Sequence, residues 1–298
     1  MEPARIALYL LQGMLIISAL AFAGFWLVRT RRTGVSAWPS WYQLLVGVIT
    51  DFLDTLGVGS FATTSTFLRV RARPSLGSGI PIADENLPGT LNVGHTLPTI
   101  AQALIYTAII EIDFTTLALL IVASVVGAWF GAGVVSKLPR HKIQIGMGLA
   151  LLLAAAFIGA KLAKGEETNQ ALDLSGTRLL IGIAGNFVFG ALMTIGVGAY
   201  APIMIMVSLL GMNSKAAFPI MMGSCAFLMP LASVRFINSG RYDTRAAIGL
   251  TLGGIPAVLV AAYLVKELSL FYVNLLVILV VIYTSLTMLA AGLHRSRA

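Results

Sequence analysis

The chain has 298 residues, of which 58% are hydrophobic and 11% charged, and its mean hydropathy is +0.90. That is too little polar surface to cover a soluble globule, so the composition points to a multi-spanning membrane protein. The net charge of +8 does not indicate nucleic acid, because Lys and Arg sit in short clusters between apolar runs, where they act as topology signals. The single cysteine, Cys225, leaves no disulfide framework or cysteine metal site within the chain.

The first apolar run, 6–28, is long enough to cross a bilayer. Ala21-Phe22-Ala23 faintly resembles a signal-peptidase site, but the positive cluster Arg29, Arg31 and Arg32 follows the run instead of preceding it. A retained helix is therefore expected, with its N-terminus outside and its C-terminal end in the cytoplasm. Further runs cover 41–67, 87–110, 114–136, 142–161, 178–210, 216–237, 246–264 and 270–293. The runs 41–67 and 178–210 are too long for one crossing, and each carries Gly-Val-Gly near its middle.

Those two runs align. Setting 46–62 against 185–201 matches Leu53 with Leu192, Thr55 with Thr194, Gly57-Val58-Gly59 with Gly196-Val197-Gly198, and Phe61 with Tyr200. Gly89-Thr90 then answers Gly223-Ser224, Asp113 answers Asp243, and Lys137 answers Lys266. The chain contains an internal repeat. The expected divisions are an extra helix with a cytoplasmic linker at 1–40, a first repeat at 41–161, an extracytoplasmic linker at 162–177 and a second repeat at 178–298.

The positive-inside rule orients the halves. If the Gly-Val-Gly runs are re-entrant hairpins, the clusters at 29–32, 69–73, 137–142 and 241–245 and the C-terminus all fall in the cytoplasm. Glu111, Asp113, the 166–173 loop, Lys215 and the Lys266-Glu267 turn then fall outside. Full crossings would move two positive clusters outside and weaken the bias. The expected fold is thus an all-α polytopic membrane protein, each half a broken, re-entrant helical hairpin plus three transmembrane helices. Three crossings per half invert the second half relative to the first, as in many secondary transporters.

A backbone broken at membrane depth is tolerated only where protein or a watery cavity covers it. Helices restarting after Gly57, Gly59, Gly196 and Gly198 would aim free amides and a positive dipole end inward, which suits an anion. Hydroxyls of Ser60, Thr63, Thr64 and Thr66 are candidate donors, and Thr55 and Thr194 hold matching places before the breaks. The competing reading is that the glycines only allow close helix packing. Asp51 and Asp54 share one helical face, and carboxylates in an apolar run mark a pathway, a proton relay or a paired charge. The second half has Gly190 and Met193 there. The two acids are assigned to coupling with H+ or Na+; the alternative is a structural pair that bonds Thr50 or caps the break. His95 is a candidate binding residue able to titrate, or simply a hydrogen-bonded interior histidine.

The segments "DTLGVGSF", "MTIGVGAYAP", "PGTLNVG" and "KAAFPIMMGSCAF", with the duplicated layout over 41–293, resemble the TauE/SafE sulfite-exporter family, also known as 4-toluene sulfonate uptake permeases. Where that family often has GIGGG after the break, this chain has GVGSF and GVGAY. The resemblance implies a bacterial inner-membrane carrier for sulfite, organosulfonates or related small organic anions, with Gly57, Gly59, Ser60, Gly196 and Gly198 on the glycine-rich segments. The expected function is a secondary transporter working by alternating access, with the lipid bilayer and a small anion as partners and no cofactor or metal. An anion channel and a short-carboxylate carrier are the alternatives. An intramembrane enzyme is more remote: the sequence has no HExxH or GxSxG, and only Asp51 with Asp54 offers paired carboxylates in an apolar run.

Overall fold

The computed structural model describes residues 3–32, 38–70, 82–83, 85–135, 140–163, 169–193 and 199–297. They form eleven α-helices. The helix α1 (Pro3–Arg32) precedes two series of five. The first series is α2 (Trp41–Thr55), α3 (Ser60–Val70), α4 (Leu87–Ile109), α5 (Phe114–Val135) and α6 (Arg140–Ala163). The second is α7 (Gly176–Met193), α8 (Tyr200–Leu209), α9 (Ala217–Ser239), α10 (Thr244–Glu267) and α11 (Leu270–Arg297). In each series the second helix is short, 11 residues in α3 and 10 in α8.

Six helices, carried by α1, α6, α7, α9, α10 and α11, are long and apolar enough to cross a membrane. Side-chain placement is the reverse of a soluble protein's. Leu10, Ile17, Leu20, Trp129, Leu153, Leu180 and Val260 are exposed, whereas Asp51, Asp54, His95, Gln102, Asn186 and Ser233 are buried. The helices therefore fit a polytopic membrane protein. By its 23 residues α4 has the length of a span, but it carries Asn92, His95 and Gln102 together with four threonines, nearly all of them buried.

The chain divides into two compact units, Met1–Thr107 with Cys225–Leu264, and Ala108–Ser224 with Val265–Ala298. Each therefore takes helices from both series. In the first unit, α2 packs on α10: a Cβ on Gly47 would lie 2.6 Å from the Leu250 carbonyl oxygen, and one on Gly253 would run into that of Leu44. In the second unit, α7 packs on α5, with Gly127 against the Phe187 carbonyl and Gly190 against that of Ser124. Small residues let these backbones approach closely. Gly190→Leu should therefore cost about 1–3 kcal/mol through overpacking, seen as a lower Tm in detergent.

Counterpart helices also meet antiparallel. In the first unit Gly89 abuts the Arg241 carbonyl, and seven residues further along α4 Thr96 bonds Ser233 of α9 at 2.8 Å. In the second unit the Ser285 hydroxyl of α11 donates to the Gly148 carbonyl of α6, and Gly292 sits against His141 and Ile145. Matched aspartates cap matched helices: Asp113 accepts from the Thr116 amide at the start of α5, and Asp243 from the Ala246 amide at the start of α10, both at 2.7 Å.

Pro98 has no N–H to give to the Gly94 carbonyl one turn back in α4. The Thr251 hydroxyl of α10 takes over that role at 2.6 Å. The helix α1 lays Leu11, Leu15, Phe22 and Trp26 inward at helical spacing, with Phe22 and Trp26 clustered on Val93, Ile237 and Ala247.

Candidate functional site

The first glycine run breaks the helix as expected. Val58 N–H donates to Leu53 O at 3.0 Å and Gly57 N–H to Asp54 O at 2.8 Å, the paired bonds of a Schellman ending. Gly57 has φ 96° and Gly59 φ 87°, a region costly for residues with a Cβ. A Cβ on Gly59 would meet nothing within 4 Å, so this glycine is present for backbone conformation and not for close packing. After the break α3 doubles back along α2, and the Tyr42 hydroxyl near the start of α2 donates to the Phe67 carbonyl near the end of α3 at 2.7 Å. A continuous helix would separate those residues by about 37 Å. In the second unit α7 and α8 also form a hairpin: Met212, just past α8, pairs with Ala171 before α7, and Asn169 donates to the Ser208 carbonyl at 2.9 Å.

The first break is wrapped in buried polar side chains. His95 reaches from α4 to both arms of the hairpin: Nδ1 lies 2.8 Å from Asp51 Oδ1 on α2, and Nε2 lies 3.0 Å from the Thr64 hydroxyl on α3. Asp54 accepts the Ser60 backbone N–H at the start of α3 and a Gln102 amide hydrogen at 3.0 Å. Gln102 also donates to Thr55 Oγ1 at 2.9 Å. The Thr55 carbonyl, left open by the end of α2, accepts from the Tyr106 hydroxyl at 2.7 Å. Asp51, Thr55, Thr64, His95, Gln102 and Tyr106 each have 0% exposure, and Asp54 has 1%. Two buried carboxylates and an imidazole are thus held at a backbone break with no lysine or arginine among the groups bonded to them.

No family model, curated protein or solved structure matches the chain.

Asp51, Asp54, Thr55, Ser60 and His95 come together as one cluster. Thr194, Gly196 and Gly198 lie outside the described residues, as does Lys137. The geometry corrects one expectation. The Ser60 amide, offered by the sequence to a substrate anion, already holds the carboxylate of Asp54. The hydroxyls are committed as well: Thr63 donates to the Gly59 and Ser60 carbonyls, Thr66 to Ala62 O and Thr55 to Asp51 O. Hydroxyls in helices favour such local bonds, and here this directs those hydrogens to the backbone. Thr50 bonds Val46 O and takes no part in holding the acids. Sequence reasoning missed Gln102 and Tyr106; their signal is the polar stripe His95, Thr99, Gln102 and Tyr106 at helical spacing along α4.

The missing acids of the second half have a packing counterpart. Gly254 and Ser124 both lie eleven residues beyond the matched aspartates Asp243 and Asp113. In the first unit Asp51 sits against Gly254; in the second Gly190, at the place of Asp51, sits against Ser124. The crossing is kept while the side chain changes sides. A glycine suffices for packing there, so Asp51 is not needed to build the contact.

Proposed function

We propose that the protein is a secondary transporter that moves a small anion, sulfite or an organosulfonate, across the bacterial inner membrane by alternating access. The observation that carries this reading is the cluster of Asp51, Asp54 and His95, buried at a helix break in a chain whose outer surface is apolar. Intramembrane ionisable groups are costly and mark pathways or coupling sites, and a broken helix is a common place for them in carriers. The motif resemblance to TauE/SafE permeases supports the substrate class.

The two halves form an inverted repeat in this reading. Support comes from counterpart helices that meet antiparallel, α4 with α9 and α6 with α11. Several contacts also join places that the charge pattern puts on one side. Arg29 bonds Asn238, three residues before Arg241; the Asp113 amide donates to the Leu172 carbonyl; the Lys215 ammonium donates to Lys266 O. The N-terminus is then outside and the C-terminus cytoplasmic, with hairpins that enter and return on one face.

The test is uptake by liposomes holding the full chain, screened with sulfite, thiosulfate, sulfoacetate, taurine and short carboxylates. Saturable uptake of one anion, competed by its analogues, is expected. Flux that follows voltage alone and does not saturate would identify a channel instead.

A further inference from the structure

The second oxygen of Asp51, Oδ2, is buried and has no hydrogen-bond partner. It lies where a Cβ on Gly254 would strike it, with the Pro98 ring at the same spot. This oxygen therefore packs against α10 at a glycine, beside the Pro98 ring. A hard metal cation needs several ligands around it, and among the described residues no group of three or more His, Cys, Asp or Glu side chains is placed to hold one. A proton needs no such shell.

The other oxygen of Asp51 faces His95 Nδ1, and His95 Nε2 faces the Thr64 hydroxyl. A hydroxyl either donates or accepts. With a neutral ring, Nδ1–H donates to Asp51 and Nε2 accepts from Thr64. When Nε2 gains a proton, the Thr64 hydroxyl turns to accept from Nε2–H. In either charge state Nε2 keeps Thr64 as its partner.

We propose that Asp51 and His95 together bind the proton that travels with the anion, and that the Thr64 hydroxyl accommodates both protonation states. This rests on the carrier reading and names its coupling ion. Loading is one proton transfer from hydronium to Nε2, with water released. The pair goes from one net negative charge to none. Among the described residues, the other titratable groups at the break are Asp54 on α2 and Tyr106 on α4, whose hydroxyl is held by the Thr55 carbonyl; α3 and α10 present Thr64, Phe61 and Gly254. Loading leaves Asp54 as the remaining negative charge of the cluster, which lowers the repulsion met by an incoming anion. Asp51 is on α2, Thr64 on α3 and His95 on α4, so the proton is taken up where both arms of the hairpin are fastened to one span.

The test uses the full chain in liposomes with radiolabelled sulfite outside and a pH-sensitive dye inside. Wild type should acidify the lumen as sulfite enters, and a proton gradient should drive accumulation. Asp51→Asn and His95→Gln should lose both effects. Nitrogen NMR of labelled histidine in the wild-type protein gives a readout free of folding effects: the His95 ring, identified by its absence in His95→Gln, should switch between neutral and protonated over the pH range in which accumulation changes. Sulfite entry without protons, proton-driven accumulation by His95→Gln, or a ring that keeps one charge state would overturn the proton site and leave the carrier standing. A wild type that neither accumulates nor exchanges sulfite or any other anion of the screen would remove both.

Discussion

Asp54→Ala should be among the most damaging single changes in the first unit, and Asp54→Asn should be milder. Removing the carboxylate strands two buried donors, the Ser60 backbone N–H and the Gln102 amide. At about 1–3 kcal/mol for each unsatisfied group, the loss is about 2–6 kcal/mol. Asparagine keeps one acceptor for the Ser60 amide. Its own amide takes the place of the second acceptor, so only the bond from Gln102 is lost, about 1–3 kcal/mol. Thermal unfolding in detergent checks this, at about 2–4 °C per kcal/mol for a unit of this size. Equal melting of the alanine and asparagine variants would show that the Asp54 bonds do not hold the break.

The glycines of the first break should respond through the backbone and not through crowding. Gly59 has φ 87° and open space where a side chain would go, so Gly59→Ala isolates the conformational cost of about 1–2 kcal/mol. Gly59→Asn should cost less, because asparagine visits this region more readily. Gly57→Leu should abolish uptake while the protein still inserts, since a side chain at φ 96° opposes the turn that places Asp54 on the Ser60 amide. Gly198→Leu is expected to do the same from the repeat. Uptake and melting of the alanine, asparagine and leucine variants all equal to wild type would mean that the break does not depend on glycine.

Much of the fold was legible because it follows from hydropathy, charge and punctuation. Gly57 and Gly59 marked the break, and Asp113 and Asp243 marked matched helix starts that the structure shows as matched caps. Length marked a run such as 41–67, with glycines at its middle, as too long for one crossing, and the structure has two helices there. The site was legible in part. Intramembrane charge drew attention to Asp51, Asp54 and His95, which do cluster. The partners of each group were hidden, since a hydrogen bond from α4 to α2 joins residues more than forty positions apart. Gln102 and Tyr106 looked like ordinary residues of a span until α4 proved to be the helix facing the break. The role of the Ser60 amide was hidden for a similar reason: a helix start suits any carboxylate, and the nearest one, six residues earlier in the chain, takes it.

Counterflow tests the central claim most directly. Liposomes holding the full chain are loaded with unlabelled sulfite and diluted into a trace of labelled sulfite, with the membrane potential clamped at zero. A carrier predicts a transient accumulation of label above its outside concentration, which disappears when the unlabelled load is omitted. Label that only rises to equilibrium, at the same rate with or without the load, would contradict alternating access and mark the protein as a channel.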